Sequence, residues 1–458
     1  MNSSVPPKRI YAVGSLRYTL GGVLLVCSWL LWGGFCYSML VYMLVPTLLP
    51  LTLDSFHASG ALIGLVVGSI PAAMNFVMNP ILSTTTSDRL RSKWGRRIPY
   101  LAFATPLISL FVILLGWTRE IAVLLNQSLL PHASPELLGL ILVCVFAILF
   151  QFFNLIIGSI YYYIFADVIP HEFIGRFMAF LTLSMTASGF VFNYYLMEYA
   201  LEYSAWVYTV IGILFAVSFA AMCFFVKEGE YPPPPRNQAA HEPFAKRMIG
   251  WIRLYFRQCY RNPFFLMLFL GTAMTQVSTV CRSIFNLLFA TKELHLTEAQ
   301  FGKIMGIGSL VSLGVVLLIG YLMDKLHPLR IFLWSGIPVI LINLWGYFYA
   351  VDYASFFVVG IAVVIIYSIQ GQSIVPMYIA LFPPEKYGQF SSANMMINSL
   401  LVIIANWGGG LAIDRFGYRF IFIWDLFFTT VATGILIYVY IRWRQLGGGK
   451  HYLAPEVE

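Results

Sequence analysis

Charge is what this chain has least of. Only 10% of its 458 residues are Asp, Glu, Lys or Arg, while 59% are apolar and mean hydropathy is +0.79. A soluble domain carries roughly 25% charged residues, so a water-soluble enzyme or binding module is excluded as a class. Nucleic acid is not an expected partner either, because no soluble basic domain exists to carry the net charge of +8. The six cysteines, Cys27, Cys36, Cys144, Cys223, Cys259 and Cys281, fall at none of the CxxC or Cys/His spacings of redox and metal sites. They read as small buried apolar side chains, and neither a metal nor a cofactor is implied. No G-x-x-x-x-G-K-[ST] loop offers to couple ATP, and no His/Asp/Glu/Ser/Cys cluster at hydrolytic spacing lies in the apolar runs. An enzyme is therefore not expected. No cleavable leader is expected either: the first run, about Gly21 to Pro50, is longer than a signal-peptide core and lacks a small-residue cleavage pattern, so it reads as a retained helix.

Long apolar runs are abundant instead. Crossing ~30 Å of hydrocarbon takes ~20 apolar residues, and twelve runs qualify, near 21–50, 60–86, 99–118, 137–166, 175–200, 205–226, 263–290, 300–323, 330–350, 355–381, 388–412 and 419–441. The expectation is an all-α integral membrane protein with twelve transmembrane helices in two pseudo-symmetric six-helix bundles. Its parts would be 1–226, a linker at 227–262, and 263–458. With both termini cytoplasmic, 22 of the 28 Lys and Arg fall on the cytoplasmic side, as the positive-inside rule requires. Arg119, Lys292, Lys303, Arg415 and Arg419 lie outside, and Arg282 alone lies within a span. In the linker, Pro232 to Pro235 form an extended spacer. Arg253, Arg257 and Arg261 then recur every four residues among Trp251, Ile252, Tyr255 and Phe256, which suits a helix in the inner-leaflet interface or a docking site for a regulatory partner.

The two halves repeat one another. Pro170-His171-Glu172-Phe173-Ile174-Gly175-Arg176-Phe177 returns as Pro383-Pro384-Glu385-Lys386-Tyr387-Gly388-Gln389-Phe390, sharing P-x-E-x-x-G-[RQ]-F at an offset of 213, and the same offset carries Asn193 onto Asn406. Upstream, His57, Ala61, Gly64 and Gly68 match His295, Ala299, Gly302 and Gly306 at an offset of 238. The paired histidines suggest either a pH sensor or local capping before a helix, and the spaced glycines suggest close helix packing. Tandem halves in so apolar a chain mark a secondary transporter with its site near the midplane.

The loop from Ser87 to Arg97 sets one acid, Asp88, among five bases, with Gly95 for a tight turn, and Gly320 to Lys325 is its counterpart. The pattern D-R-x-R-S-[KR]-W-G-R-R-x-P, closed by Pro99, resembles the loop motif of the major facilitator superfamily. In its longer form it resembles the glycoside-pentoside-hexuronide:cation symporters and the sucrose/proton symporters, helped by Tyr18-x-Leu20-Gly21-Gly22. That resemblance implies the major facilitator fold, alternating access, and a cytoplasmic gate built from Asp88, Arg89, Arg96 and Arg97, with Glu172 and Arg176 as partners and Asp324 and Glu385 in the second half. Such fixed charges can bias one conformation over another. Two departures matter: Thr84 stands where the motif has glycine, and the second and fourth helices offer Asn75, Asn79, Gln151 and Asn154 where melibiose-type members bind their cation with acids. Amides neither titrate nor add negative charge.

The resemblance also implies that the first, fourth, seventh and tenth helices surround the solute. Tyr37, Gln151, Asn154, Gln276 and Gln370 fall near mid-depth, with Gln372 just below. Uncharged amides and a phenol suit a hydroxyl-rich ligand, since each amide both donates and accepts; helix-to-helix bonding is the alternative. Trp29 and Trp32 could face a sugar ring. Arg282 either snorkels to the outer interface or faces the ligand, where it would favour a uronic acid, with Asp425 or Glu198 as counter-ion. The function expected is transport of a small polar organic solute, foremost a sugar or glycoside, across the plasma membrane (the inner membrane of a bacterium), by symport with protons or sodium or without coupling. The rivals are a carrier of drug-like, nucleoside or anionic solutes and a transporter-like sensor without turnover.

Overall fold

Twelve long helices follow one another in the computed structural model, which describes residues 10–78, 92, 94–128, 131–200, 202–229, 257–383, 386–449 and 452–455. They are α1 (Leu20–Ser55), α2 (Gly60–Met78), α3 (Ile98–Gly116), α4 (Pro135–Val168), α5 (His171–Tyr199), α6 (Ser204–Phe225), α7 (Pro263–Glu293), α8 (Glu298–Leu326), α9 (Pro328–Tyr349), α10 (Tyr353–Leu381), α11 (Tyr387–Phe416) and α12 (Phe420–Gln445). Eleven of them, all but α8, are long and apolar enough over the described residues to cross a membrane. A two-stranded antiparallel hairpin, β1 (Tyr11–Val13) and β2 (Leu16–Tyr18), precedes α1. A short helix, Thr118–Ser128, follows α3.

At several helix starts the residue before the helix satisfies an exposed N–H group with its side chain, which permits a short connection. Ser59, Ser134 and Asn262 cap α2, α4 and α7, and Thr297 with Gln300 and Asp352 with Ser355 make reciprocal capping boxes for α8 and α10. Single π-helical turns at Met39–Leu44, Leu65–Ser69 and Phe192–Leu196 interrupt α1, α2 and α5, and one at Phe289–Glu293 ends α7, the kind of local widening that often accompanies function.

Packing divides the chain into two units, 1–56 with 77–235 and 57–76 with 236–458. In the first, α3 lies against α4 and α6, while α1 packs on α5 and α6. In the second, α7 rests on α11 and α12, and α10 on α8 and α9. Residues 57–76 of α2 pack on α11 and sort with the second unit. Glycine is the cause. A Cβ on Gly64 would sit 2.2 Å from the Asn406 carbonyl oxygen, and one on Gly68 would sit 2.1 Å from the Asn406 side chain, so the two backbones touch directly. Most of the linker, 230–256, lies outside the described residues.

Both repeats take matching geometry. Phe177 and Phe390 are each buried one turn or so into their helix, Phe177 against Phe165 and Phe390 against Phe265. Asn193 and Asn406 each donate from Nδ2 to the carbonyl four residues back, at 2.9 and 2.8 Å. His57 and His295 both adopt φ near +55°, at 58° and 53°, just before the caps Ser59 and Thr297. This left-handed turn tolerates His better than most side chains, which accounts for the repeat by backbone geometry.

A third such histidine, His327 (φ 68°), joins α8 to α9, and its Nδ1 accepts the Leu329 N–H at 3.3 Å while its ring lies 4.5 Å from that of Trp443. Burial, helped by the nearby Arg330, pushes its pKa below the usual 6.5. A depressed histidine pKa gives stability that is full above the unfolded value and is lost as pH falls through about 6.5 toward the folded value. Replacing His327 by Asn, which also caps and also tolerates positive φ, should remove this dependence. Thermal unfolding of the purified protein between about pH 7 and pH 5 should show the variant gaining on the wild type as pH falls; parallel curves would refute it.

Candidate functional site

Within the first unit, three of the expected solute-binding residues meet. The Tyr37 hydroxyl donates to Asn154 Oδ1 at 3.0 Å, and Asn154 Nδ2 donates to Gln151 Oε1 at 3.4 Å. Helical spacing explains the second contact, since 151 and 154 are three apart on α4. Tyr37 on α1 is held by rings on both sides, Tyr161 and Phe219 at 5.9 and 6.1 Å between centroids. Its hydroxyl also fits only because residue 158 is glycine: a Cβ there would lie 2.8 Å away. Gln151 is half-buried and keeps its amide N–H groups free among the described residues. Trp29 stacks on Phe225 and Trp32 donates to Ser218 Oγ at 3.0 Å, so both indoles lean on α6.

Charge gathers at the end of the first unit where α3 begins. Ser92 and Gly95 (φ 106°) close the expected tight turn, which aims three successive N–H groups of Arg96, Arg97 and Ile98 at the Glu228 carboxylate, at 3.0, 2.8 and 2.7 Å. A carboxylate at a helix start is favoured by both the unpaired N–H groups and the helix dipole. The Arg96 and Arg97 side chains pair with Asp167 on α4, at 3.1 and 3.0 Å. Of the expected gate, Glu172 and Arg176 are exposed on α5, while Asp88, Arg89 and Glu385 lie outside the described residues, as does the side chain of Asp324. The ion-pair partner observed for the two arginines is thus Asp167. Neither Asp167 nor Glu228 belongs to a recognisable motif; the one available signal was an acid at each flanking helix end.

In the second unit Arg282 is buried within the bundle. Its Nε lies 3.3 Å from Asp425 Oδ2 and its Nη2 donates to Asn343 Oδ1 at 2.5 Å, with the guanidinium 4.8 Å from the Phe422 ring centroid. Asp425, wholly buried, also accepts from Asn343 Nδ2 at 2.9 Å, from the Tyr367 hydroxyl, and from Thr429 Oγ1 at 3.1 Å. Of the two settings open to Arg282, snorkelling does not occur, and its counter-ion is Asp425. A guanidinium and a carboxylate so enclosed form a clamp across α7, α9, α10 and α12. One turn along α10 from Tyr367 stands Gln370, only 6% exposed, whose amide has no hydrogen-bond partner among the described residues. Gln276 is exposed and Gln372 half-buried, likewise without partners among them. The three glutamines are not brought together by hydrogen bonds.

At the other end of α2, Asp414 of α11 takes the first two N–H groups of that helix, Gly60 to Oδ1 at 2.6 Å and Ala61 to Oδ2 at 2.9 Å. Further in, Ser69 Oγ donates to the Ile403 carbonyl at 2.6 Å.

The sequence model of the Major Facilitator Superfamily matches residues 30–405 and 277–448. Solved structures share the architecture over nearly the whole chain. One is a bacterial homolog of the human lysosomal transporter Spinster (14% identity, 95% of this chain and 98% of that one, TM-score 0.66). Others are the nucleoside transporter NupG (14%, 91% and 99%, 0.58) and a D-xylose-proton symporter (12%, 91% and 97%, 0.61). At such identities the likeness is one of fold. No curated protein matches the chain in sequence.

Two consequences can be measured. Asp425→Ala strands a buried guanidinium and should lower stability by about 3–5 kcal/mol, whereas joint replacement by Arg282→Met and Asp425→Leu should recover most of it; equal melting temperatures for the single and double variants would contradict the clamp. Asp414→Asn removes the charge facing the α2 start, worth about 0.3–1 kcal/mol. Hydrogen exchange at residues 60–64 should then quicken severalfold, and unchanged protection would show that the contact does not hold the helix.

Proposed function

Since the chain belongs to the Major Facilitator Superfamily, we propose that it is a secondary active or facilitative carrier of a small, uncharged, hydroxyl-rich solute, foremost a sugar or glycoside, working by alternating access. It would reside in the plasma membrane with both termini cytoplasmic, the orientation that places most of its Lys and Arg inside. The observation that carries the solute class is the chain of uncharged groups from Tyr37 through Asn154 to Gln151, which leaves amide N–H groups to meet hydroxyls. In the second unit Gln370 is the matching candidate: its side chain is nearly buried and its amide makes no hydrogen bond among the described residues, which leaves it open to a solute.

Arg282 bears on the same choice. Its charge is met by Asp425 and its Nη2 by Asn343, so the guanidinium is not held in reserve for a carboxylate. Uronic acids therefore drop behind neutral solutes. The Arg96, Arg97 and Asp167 ion pairs, with Glu228 at the α3 start, would form one part of the gate, beside Glu172 and Arg176 on α5. Rearranging them is the proposed cost of changing state.

Counterflow in proteoliposomes tests the reading. Neutral sugars and glycosides should exchange, and Asn154→Ala should weaken solute binding by tenfold or more, as losing a substrate hydrogen bond of about 1.4 kcal/mol implies. Tyr37→Phe should cost less, because the amides remain. Sodium and pH gradients applied in the same vesicles read the coupling. Exchange of nucleosides but not sugars would move the solute class, and binding without exchange would make the protein a sensor.

A further inference from the structure

A groove on the first unit is lined mostly by side chains with no part in the contacts described above. It runs between α3 and α6, encloses about 740 Å³, and is walled by Ile98, Ala102, Thr105 and Pro106 on one side and Ala216, Ala220, Cys223 and Phe224 on the other. Ala216 and Ala220 stand one turn apart on α6, and Ala102 lines the same groove from α3, so two packed helices leave a trough where larger side chains would have filled it. The trough is apolar along its length: the Thr105 hydroxyl is turned back to the Leu101 carbonyl at 2.7 Å. Its size falls within the roughly 300–1,000 Å³ of sites for small ligands.

Chemistry changes at one end. Trp94, Lys227 and Glu228 form the rim there, beside the first turn of α3. Trp94 is 67% exposed, and its indole N–H donates to nothing among the described residues. Lys227 is exposed and its ammonium likewise has no partner among them. Glu228 keeps its charge at the rim, but its carboxylate is turned to the N–H groups of Arg96, Arg97 and Ile98 and makes no ion pair with Lys227 among the described residues. An apolar trough that ends in an uncommitted ammonium and an indole N–H has the polarity of one lipid molecule: acyl chain within, anion at the rim. Basic pockets between membrane helices on the positively charged side are where anionic headgroups bind, and Trp and Lys are the side chains that sit at headgroup level.

We propose that this groove binds one phospholipid with an anionic headgroup, its acyl chain lying along Ala102, Ala216 and Ala220 and its phosphate facing Lys227 and Trp94. The bound lipid braces the turn from Ser92 to Ile98 and the Glu228 cap behind it. It thereby supports the same segment that holds Arg96 and Arg97 on Asp167. The site does not depend on which solute is carried.

The test uses the purified full-length protein in a neutral detergent, with phosphatidylglycerol and phosphatidylcholine of identical acyl chains. Native mass spectrometry should show one phosphatidylglycerol retained in preference to phosphatidylcholine, with a matching rise in melting temperature. Glycerol 3-phosphate, which has the headgroup chemistry without the chain, should shift nothing. Lys227→Gln should weaken the phosphatidylglycerol preference about fivefold, the share of one basic residue near a headgroup, while leaving the lipid-free melting temperature unchanged. Ala216→Leu with Ala220→Leu should abolish retention of both lipids. Equal retention of the two lipids by the wild type, an undiminished preference in Lys227→Gln, or an equal response to glycerol 3-phosphate would each overturn the proposal. Should the double leucine variant fail to fold, Lys227→Gln still decides.

Discussion

A charge carried into hydrocarbon finds no water, so one that the chain takes there must be met by other groups of the same chain. That constraint organises the interior more than any single apolar contact does. Asp425 is its extreme case: a wholly buried carboxylate meets a guanidinium, an amide, a phenol and a hydroxyl drawn from α7, α9, α10 and its own helix α12. Each donor is fixed by the others, since Asn343 serves both Arg282 and Asp425. Four helices are thereby held in register by one charge. Replacing only one member is severe because the remaining charge has nowhere else to turn.

The same constraint at helix ends produces a device used twice. Glu228 meets the starting N–H groups of α3 and Asp414 those of α2. Each carboxylate approaches through a missing side chain: a Cβ on Gly95 would lie 2.7 Å from Glu228 Oε1, and one on Gly60 would lie 2.8 Å from Asp414 Oδ1. Charge against a helix start is strong enough to order a segment and weak enough to be released, on the order of 1 kcal/mol. That range suits contacts that a transport cycle must make and break more often than it suits contacts that must endure. The Asp425 clamp, with its many partners, belongs to the enduring kind.

Much of this was legible in the sequence. Apolar runs located twelve helices, and the paired motifs predicted equivalence that the structure bears out at Phe177 and Phe390, at Asn193 and Asn406, and in the shared backbone of His57 and His295. Tyr37, Asn154 and Gln151 were singled out by the resemblance together with depth and chemistry; the structure links them by hydrogen bonds, and the three-residue spacing on α4 explains the contact between the two amides. What the sequence withheld were partners distant along the chain. Asp167 pairs with Arg96 from 71 residues away, and Asp414 caps α2 from 354 away. Neither separation follows any period, so only the packed helices reveal them. The placement of residues 57–76 with the second unit belongs here too: glycines at 60, 64 and 68 announced a close approach but could not say to which helix.

Arg282 illustrates how a partner changes a functional inference. Alone in an apolar run, a guanidinium invites an anionic ligand, because bidentate carboxylate binding is what it does best. Paired with Asp425, its contribution to the field around it is largely cancelled, and a solute carboxylate would have to displace a counter-ion held by three further donors. Such a displacement gains little, since one carboxylate merely replaces another while the three donors to Asp425 lose their acceptor geometry. A neutral solute meets no such competition at Gln151 or Gln370, whose amides are already open. On the proposed reading the chain separates two uses of polarity inside a membrane: charges consumed by structure, and uncharged amides open to a ligand.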